Sequence, residues 1–91
     1  MALRKISQPI QKLGYEHLDT LTRTGVWHQD TSAKADPARG YPGLGEAGLL
    51  EVFSPDAAMV YQRYTVFRSG GMFWRGWYVG KWYPWVEVAT K

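Results

Sequence analysis

From Leu49 to Val88 the chain alternates runs of β-branched and aromatic residues with Gly and Pro breaks, and this alternation limits the possible folds more than any other feature. Each run has the length of a β-strand, and the breaks contain the residue types of tight turns. No segment shows the roughly ten or more residues of helical periodicity that a strand-helix-strand unit requires. The pattern therefore predicts a mainly β fold, either a small antiparallel meander or a sandwich-like domain.

The breaks place five strands along the chain. We predict a three-residue turn between the third and fourth strands, and a two-residue turn at Gly80-Lys81 between the fourth and fifth. Because proline has no amide hydrogen to donate, Pro84 confines the last strand to an edge of the sheet. The predicted strands are Gly25 to Gln29, Leu49 to Phe53, Met59 to Arg68, Met72 to Val79 and Trp82 to Val88.

The first part of the chain is expected to be a short N-terminal leader. Residues 1–16 would form this leader or a junction to a coiled-coil shaft, and residues 17–91 would form the β domain. Pro9 and Gly14 oppose a long helix, because proline removes a helical hydrogen bond. A coiled-coil fragment is nevertheless indicated by the 3-4-3 spacing of Leu3, Ile6, Ile10 and Leu13.

A long polar stretch separates the first two predicted strands. Asp30 to Gly48 contains five Gly or Pro residues before Gly48 itself and has no sustained helical or strand period. We therefore predict an irregular surface loop, and loops of this length in small domains are often functional.

Aromatic residues are concentrated in the C-terminal half of the chain. The sequence has five Trp and six Tyr, and side chains two apart on a strand share a face, so both faces of Met72 to Val79 carry large rings. A half-buried strand in a monomer normally has one polar face, so a second layer or a partner subunit is expected. One face has Trp74, Gly76 and Tyr78, and the other has Phe73, Arg75, Trp77 and Val79.

Two interpretations of these aromatic residues remain open. In one, exposed rings form a flat platform on which sugar rings stack, while Arg75 or Gln62 hydrogen-bonds to the hydroxyl groups. In the other, the same rings pack in the core and at a subunit interface. The candidate ligand-binding residues are Trp77, Trp82, Trp85, Tyr83 and Arg75.

The positive charge of the chain lies in the same half. Residues 57–91 have five Lys or Arg against one Glu, whereas residues 1–56 have six Lys or Arg against seven Asp or Glu. A basic aromatic module that binds single-stranded nucleic acid is therefore an alternative function, although the polar outer faces of ordinary strands look the same. That module would use Arg63, Arg68, Arg75 and Lys81.

Neither a catalytic nor a metal-binding constellation is recognisable, and we expect no enzyme activity, no cofactor and no bound metal. The chain has no Cys and two His, and its carboxylates lie in separate predicted elements without paired spacing. The longest apolar runs are a few residues, well short of the roughly 20 that a membrane span needs. We also expect no secretion signal.

Several short motifs follow one another in a fixed order over residues 18–88, about three quarters of the chain. The first pairs a leucine-rich entry turn with Gly-Val-Trp-His, and the last is a Gly-x-Trp-x-x-Trp ending. The motifs are Leu18 to Leu21 with Gly25 to His28, then Tyr41-Pro42, Gly48 to Val52, Tyr61 to Thr65, and Trp74-Arg75 followed by Tyr78, Gly80, Trp82 and Trp85.

This set of motifs resembles the pyocin-knob domain of phage and R-type pyocin tail fibres. The resemblance implies a small antiparallel β domain, present in three copies about a fibre axis, in a tail-fibre or tail-tip protein of a virion assembled in the host cytoplasm. It implies no enzyme, and it implies contact with the bacterial surface, usually its polysaccharide. Residues 1–16 would then join the domain to other tail or fibre proteins. A purely structural virion adaptor remains an alternative.

Overall fold

A computed structural model describes residues 9–88, which form one mixed β-sheet of seven strands with loops and short 3₁₀ helices over one face. The prediction of a mainly β fold is confirmed, with a layer of loops where a sandwich would have a second sheet. The 3₁₀ helices are Leu18–Thr20, Ser32–Lys34 and Pro37–Arg39. The strands are β1 (Ile10–Lys12), β2 (Gly25–Gln29), β3 (Gly48–Phe53), β4 (Met59–Val66), β5 (Met72–Tyr78), β6 (Lys81–Trp82) and β7 (Val86–Glu87).

Strands β2 to β6 follow one another as an antiparallel meander, as the turn signals predict. Strand β1 is added to the free edge of β2 in parallel, and β7 pairs with β5 beside β6. Register and side-chain alternation give the sheet two distinct faces. We call them the core face, which the loops cover, and the outer face, which no other layer of residues 9–88 covers.

The core face is built on rows of residues that lie opposite one another across the meander. One row runs from Trp27 through Leu50 and Tyr64 to Phe73. Leu50 and Tyr64 are completely buried, and Trp27 nearly so. The predicted two-residue period of these strands therefore holds, with the apolar residues of β2, β3 and β4 on one side.

The stretch from Asp30 to Gly48 is the covering layer, and the prediction of a purely surface loop is wrong for part of it. Ala35 and Tyr41 are 1% and 3% exposed. The Tyr41 ring packs edge-on against Tyr64, with the ring centroids 5.5 Å apart. The physical reason is that a sheet with one apolar face must bury it, and this stretch is the longest segment available.

The leader also contributes to the sheet. β1 pairs with β2, the Leu13 amide donates to the His28 carbonyl at 2.8 Å, and Leu13 is 1% exposed. Residues 10–13 therefore pack with the domain, while Ile10 points to solvent. Of the coiled-coil fragment, Leu3 and Ile6 lie outside the described residues, and the boundary at residue 16 stays a prediction.

The turn between β5 and β6 differs from the predicted Gly80-Lys81. Tyr78 pairs with Lys81, so the turn residues are Val79 and Gly80, with φ of 45° and 84°. Two positive φ values characterise a type I′ turn, whose twist matches that of antiparallel strands. The predicted last strand is also interrupted, with Pro84 in the gap between β6 and β7.

Replacing Val79 with Asn should stabilise the domain. A β-branched residue is strained at positive φ, whereas Asn adopts that conformation readily. We expect V79N to raise the free energy of unfolding by about 1 kcal/mol in urea denaturation. A smaller gain is expected for V79A, and an Asn variant no more stable than the parent would show that the turn is unstrained.

Candidate functional site

The structure divides the five predicted ligand-binding residues between the two faces of the sheet. Arg75, Trp82 and Trp85 come together on the core face. Tyr83 lies beside Gly76, because its amide donates to the Gly76 carbonyl at 2.9 Å. Its side chain lines the cavity on the outer face that is described below. Trp77 is partly buried against the core and also borders the outer-face cavity described below.

Arg75 is a buried charge, only 6% exposed. Its Nε donates a hydrogen bond to Gln62 Oε1 at 2.9 Å. The Gln62 amide nitrogen in turn donates to the carbonyls of Leu18 and Leu21, at 2.8 and 2.9 Å. Gln62 and Arg75 are opposite each other in the β4–β5 register, so the pair links the sheet to the first 3₁₀ helix.

Two indole rings enclose the guanidinium. Its central carbon lies 4.0 Å from the ring centroid of Trp82 and 4.6 Å from that of Trp85, within the range of cation–π attraction. Trp82 Nε1 donates to the Asp19 carbonyl at 3.2 Å, and Trp85 Nε1 donates to the Gly40 carbonyl at 2.7 Å. Besides their contact with Arg75, Trp82 is therefore held by the first 3₁₀ helix and Trp85 by the covering layer.

An acidic side chain balances the buried charge from the surface. Arg75 Nη2 lies 2.9 Å from Asp19 Oδ1, close enough for an ion pair but not aligned for a hydrogen bond. Burial lowers the pKa of the Arg75 guanidinium, and the neighbouring Asp19 carboxylate opposes that shift. An arginine stays charged in proteins even so. We call Arg75, Gln62, Trp82, Trp85 and Asp19 the arginine cluster.

The arginine cluster has the geometry of a structural clamp. The Arg75 Nε donates to Gln62, the Gln62 amide nitrogen and both indole N–H groups donate to backbone carbonyls, and both Trp rings present a face to Arg75. The ligand-binding role of Arg75, Trp82 and Trp85 stays a prediction.

The outer face has a cavity with a volume of about 420 Å³ around Gly76. Gly76 pairs with Tyr61 of β4 on one side and lies beside Tyr83 on the other. Along β5 itself, Trp74 and Tyr78 are the next side chains on the same face. We call this cavity the aromatic pit, with Gly76 as its floor and these four rings as its walls.

Charged residues flank the aromatic pit. Arg63, opposite Trp74 in the register, binds Glu51 through two hydrogen bonds of 2.9 and 3.1 Å. The Glu51 carboxylate raises the pKa of Arg63, which is therefore firmly charged. On the other side, Lys81 Nζ lies 5.2 Å from the centroid of the Tyr83 ring.

Sequence reasoning placed Tyr83 and Trp77 at a ligand site but omitted Tyr61, Trp74 and Tyr78. The two-residue period already puts Trp74, Gly76 and Tyr78 on one face. What the sequence lacked was the register, since only strand pairing shows that Tyr61 and Tyr83 stand on either side of Gly76.

Within residues 9–88, no group of three or more His, Cys, Asp or Glu side chains is arranged to hold a metal ion. The same residues include no helix long and apolar enough to cross a membrane.

Three solved structures have the same fold over 93% of this chain. An N-truncated R2-type pyocin tail fibre matches with a TM-score of 0.80 and 26% identity, and the P. aeruginosa R1 pyocin fibre matches with 0.78 and 30%. The P. aeruginosa R2 pyocin fibre matches with a TM-score of 0.80 and 26% identity. This chain has a pyocin-knob-like domain. No family model matches the sequence, and no curated protein matches it either.

The knob-like domain corresponds to one part of a much longer fibre. It spans 34% of the N-truncated R2-type fibre chain, 22% of the R1 chain and 23% of the other R2 chain. The resemblance inferred from the motifs is thus confirmed for this domain. The matches do not extend to the rest of the fibre chains.

Replacing Arg75 with Met should destabilise the knob-like domain. Methionine keeps the apolar stem but removes the donor to Gln62 and the charge between the two indoles, so we expect a loss of about 2–4 kcal/mol in chemical denaturation. The control is Arg68→Met in the exposed turn after β4, which should change stability by less than about 0.5 kcal/mol. Equal effects of the two variants would mean that the arginine cluster does not stabilise the fold.

Proposed function

We propose that this chain is a non-enzymatic tail-fibre or tail-tip domain of a phage or phage-tail-like particle, and that it contributes to attachment to bacterial surface polysaccharide. The observation that carries this proposal is the match over 93% of the chain with the fibres of two pyocin types. The domain would reside in the particle after assembly in the host cytoplasm.

The division of the sheet into two faces supports a binding role. The core face is closed by the covering layer and by the arginine cluster, whereas the outer face has half-exposed rings around the aromatic pit. Exposed rings of this kind offer stacking surfaces for sugar rings.

A nucleic-acid-binding role has less support. Of the four basic residues that it would use, Arg75 is buried and Arg63 is engaged with Glu51. Two exposed basic residues, Arg68 and Lys81, give little attraction for a phosphate backbone. Any binding to oligonucleotides should be weak and should fall steeply with salt.

We further propose that the protein is a homotrimer, with residues 1–16 joining it to other tail proteins. A domain of this size buries a modest share of its surface, and large apolar side chains outside the pit remain exposed. Leu44 is 90% exposed and Phe67 is 80% exposed.

Multi-angle light scattering tests the trimer. The chain has a mass of 10.4 kDa, and at micromolar concentration we expect three times that value. A mass of one chain would contradict the trimer. The proposed attachment role would then depend on the adsorption experiment alone.

Immunogold labelling tests the proposed location, and adsorption tests the proposed role. Antibody against the chain should decorate the fibre or tail tip of particles purified from the producing cells. Fluorescently labelled chain should bind intact cells of a susceptible strain and should be displaced by surface polysaccharide purified from that strain. Labelling of particles without cell binding would instead support the structural adaptor.

A further inference from the structure

The aromatic pit is open because residue 76 is a glycine. A Cβ built at Gly76 would meet only the Val60 carbonyl oxygen, at 3.8 Å, which is an ordinary contact. The backbone there does not have a positive φ, so the strand has no conformational need for glycine at this position. The sheet would accept a side chain at the floor of the pit, and the missing side chain is what keeps the space free.

The walls of the pit are accessible aromatic faces. Tyr61, Trp74, Tyr78 and Tyr83 are between 39% and 51% exposed, so each has ring surface that no part of residues 9–88 covers. The lining is almost entirely carbon. At about 420 Å³, the cavity has the volume of a small-molecule site, for which the usual range is roughly 300–1,000 Å³.

We propose that the aromatic pit binds a single pyranose ring of a surface polysaccharide, whose C–H face stacks on the rings around Gly76. The proposal rests on the attachment role described above and locates it on the chain. A pyranose combines an apolar face, which the rings match, with a rim of hydroxyl groups that can stay in water at an open site. Binding is strongest for a sugar whose C–H groups form a continuous face.

A cation is a poor alternative occupant of the pit. Aromatic boxes often bind quaternary ammonium groups through cation–π attraction. Here Lys81 already places its ammonium 5.2 Å from the centroid of the Tyr83 ring, and Arg63 carries a second positive charge beside Trp74. A cationic guest would meet repulsion from Lys81, and the Glu51 carboxylate beside the pit is already bound to Arg63.

A protein partner laid over the outer face is also disfavoured. Such a partner would cover the Arg63–Glu51 ion pair next to the pit, whose side chains are 45% and 25% exposed. Removing an ion pair from water costs free energy that the attraction between the charges often does not recover. A guest the size of one sugar ring occupies the pit and leaves this pair in water.

Filling the pit tests the proposal. In the full 91-residue chain, Gly76→Val places a side chain on the floor of the pit, and β-branched residues suit strands. Thr65→Val on the outer face of β4, away from the pit, is the matched control. The probes are the methyl pyranosides of glucose, galactose, mannose, rhamnose and N-acetylglucosamine, added singly while the Trp74 indole N–H signal is followed by NMR.

At least one pyranoside should shift the Trp74 signal saturably in the parent and in T65V. The affinity for the pyranoside should fall about tenfold or more in G76V. A similar fall is expected for Trp74→Ala, whose binding is followed through the indole signal of Trp77, because stacking on one ring contributes about a factor of ten in affinity. The proposal is overturned if no pyranoside shifts the signal or if tetramethylammonium binds in place of sugars. It is equally overturned if light scattering shows that G76V alone dissociates the parent assembly, because the pit would then be a subunit interface.

Cell adsorption of the same variants separates this proposal from the attachment role. If G76V adsorbs like the parent, attachment uses another surface and the pit proposal fails alone. If pyranosides bind the pit while neither chain adsorbs to cells, the sugar site stands and the attachment role fails.

Discussion

The buried guanidinium of Arg75 is the interaction on which the rest of the structure depends. A charge in the core is costly unless hydrogen bonds and opposite charge compensate it, and here Gln62, Asp19 and two indoles do so together. Through these contacts one side chain connects β4, β5, the first 3₁₀ helix and the C-terminal segment. That segment has two strands of two residues each, so its position depends on Trp82 and Trp85 more than on backbone pairing.

The inward direction of Arg75 also determines what the outer face presents. Side chains alternate along β5, so Trp74, Gly76 and Tyr78 must point outward when Arg75 and Trp77 point inward. Arg75 of the arginine cluster and the β5 walls of the aromatic pit thereby lie on opposite faces of one strand. A change at Gly76 can alter the pit without touching the clamp, whereas a change at Arg75 removes the contacts that hold Trp82, the neighbour of the wall residue Tyr83.

A single aromatic pit is a weak site by itself, because stacking on rings contributes roughly 1–3 kcal/mol per ring in comparable cases. In a fibre the proposed threefold arrangement would present three such pits to a repetitive polysaccharide. Linked sites that can be occupied together gain avidity without any new contact. Modest affinity in the isolated chain is therefore compatible with firm adsorption of a particle, and it leaves each contact reversible.

The amino-acid sequence by itself determined the mainly β fold, the meander, the alternation along β5 and the resemblance to pyocin knobs. These are local properties, set by side-chain periodicity, turn residues and motif order. It did not reveal that Ala35 and Tyr41 of the long loop are core residues, or that Leu13 joins the core from the leader, because burial depends on which segment folds over the sheet. Nor did it separate the clamp from the pit. Exposed and buried aromatic residues are alike in sequence, so the sequence did not show that Trp82 packs against Arg75 on the core face. Only the register of β4, β5 and β6 placed Tyr61 and Tyr83 around Gly76.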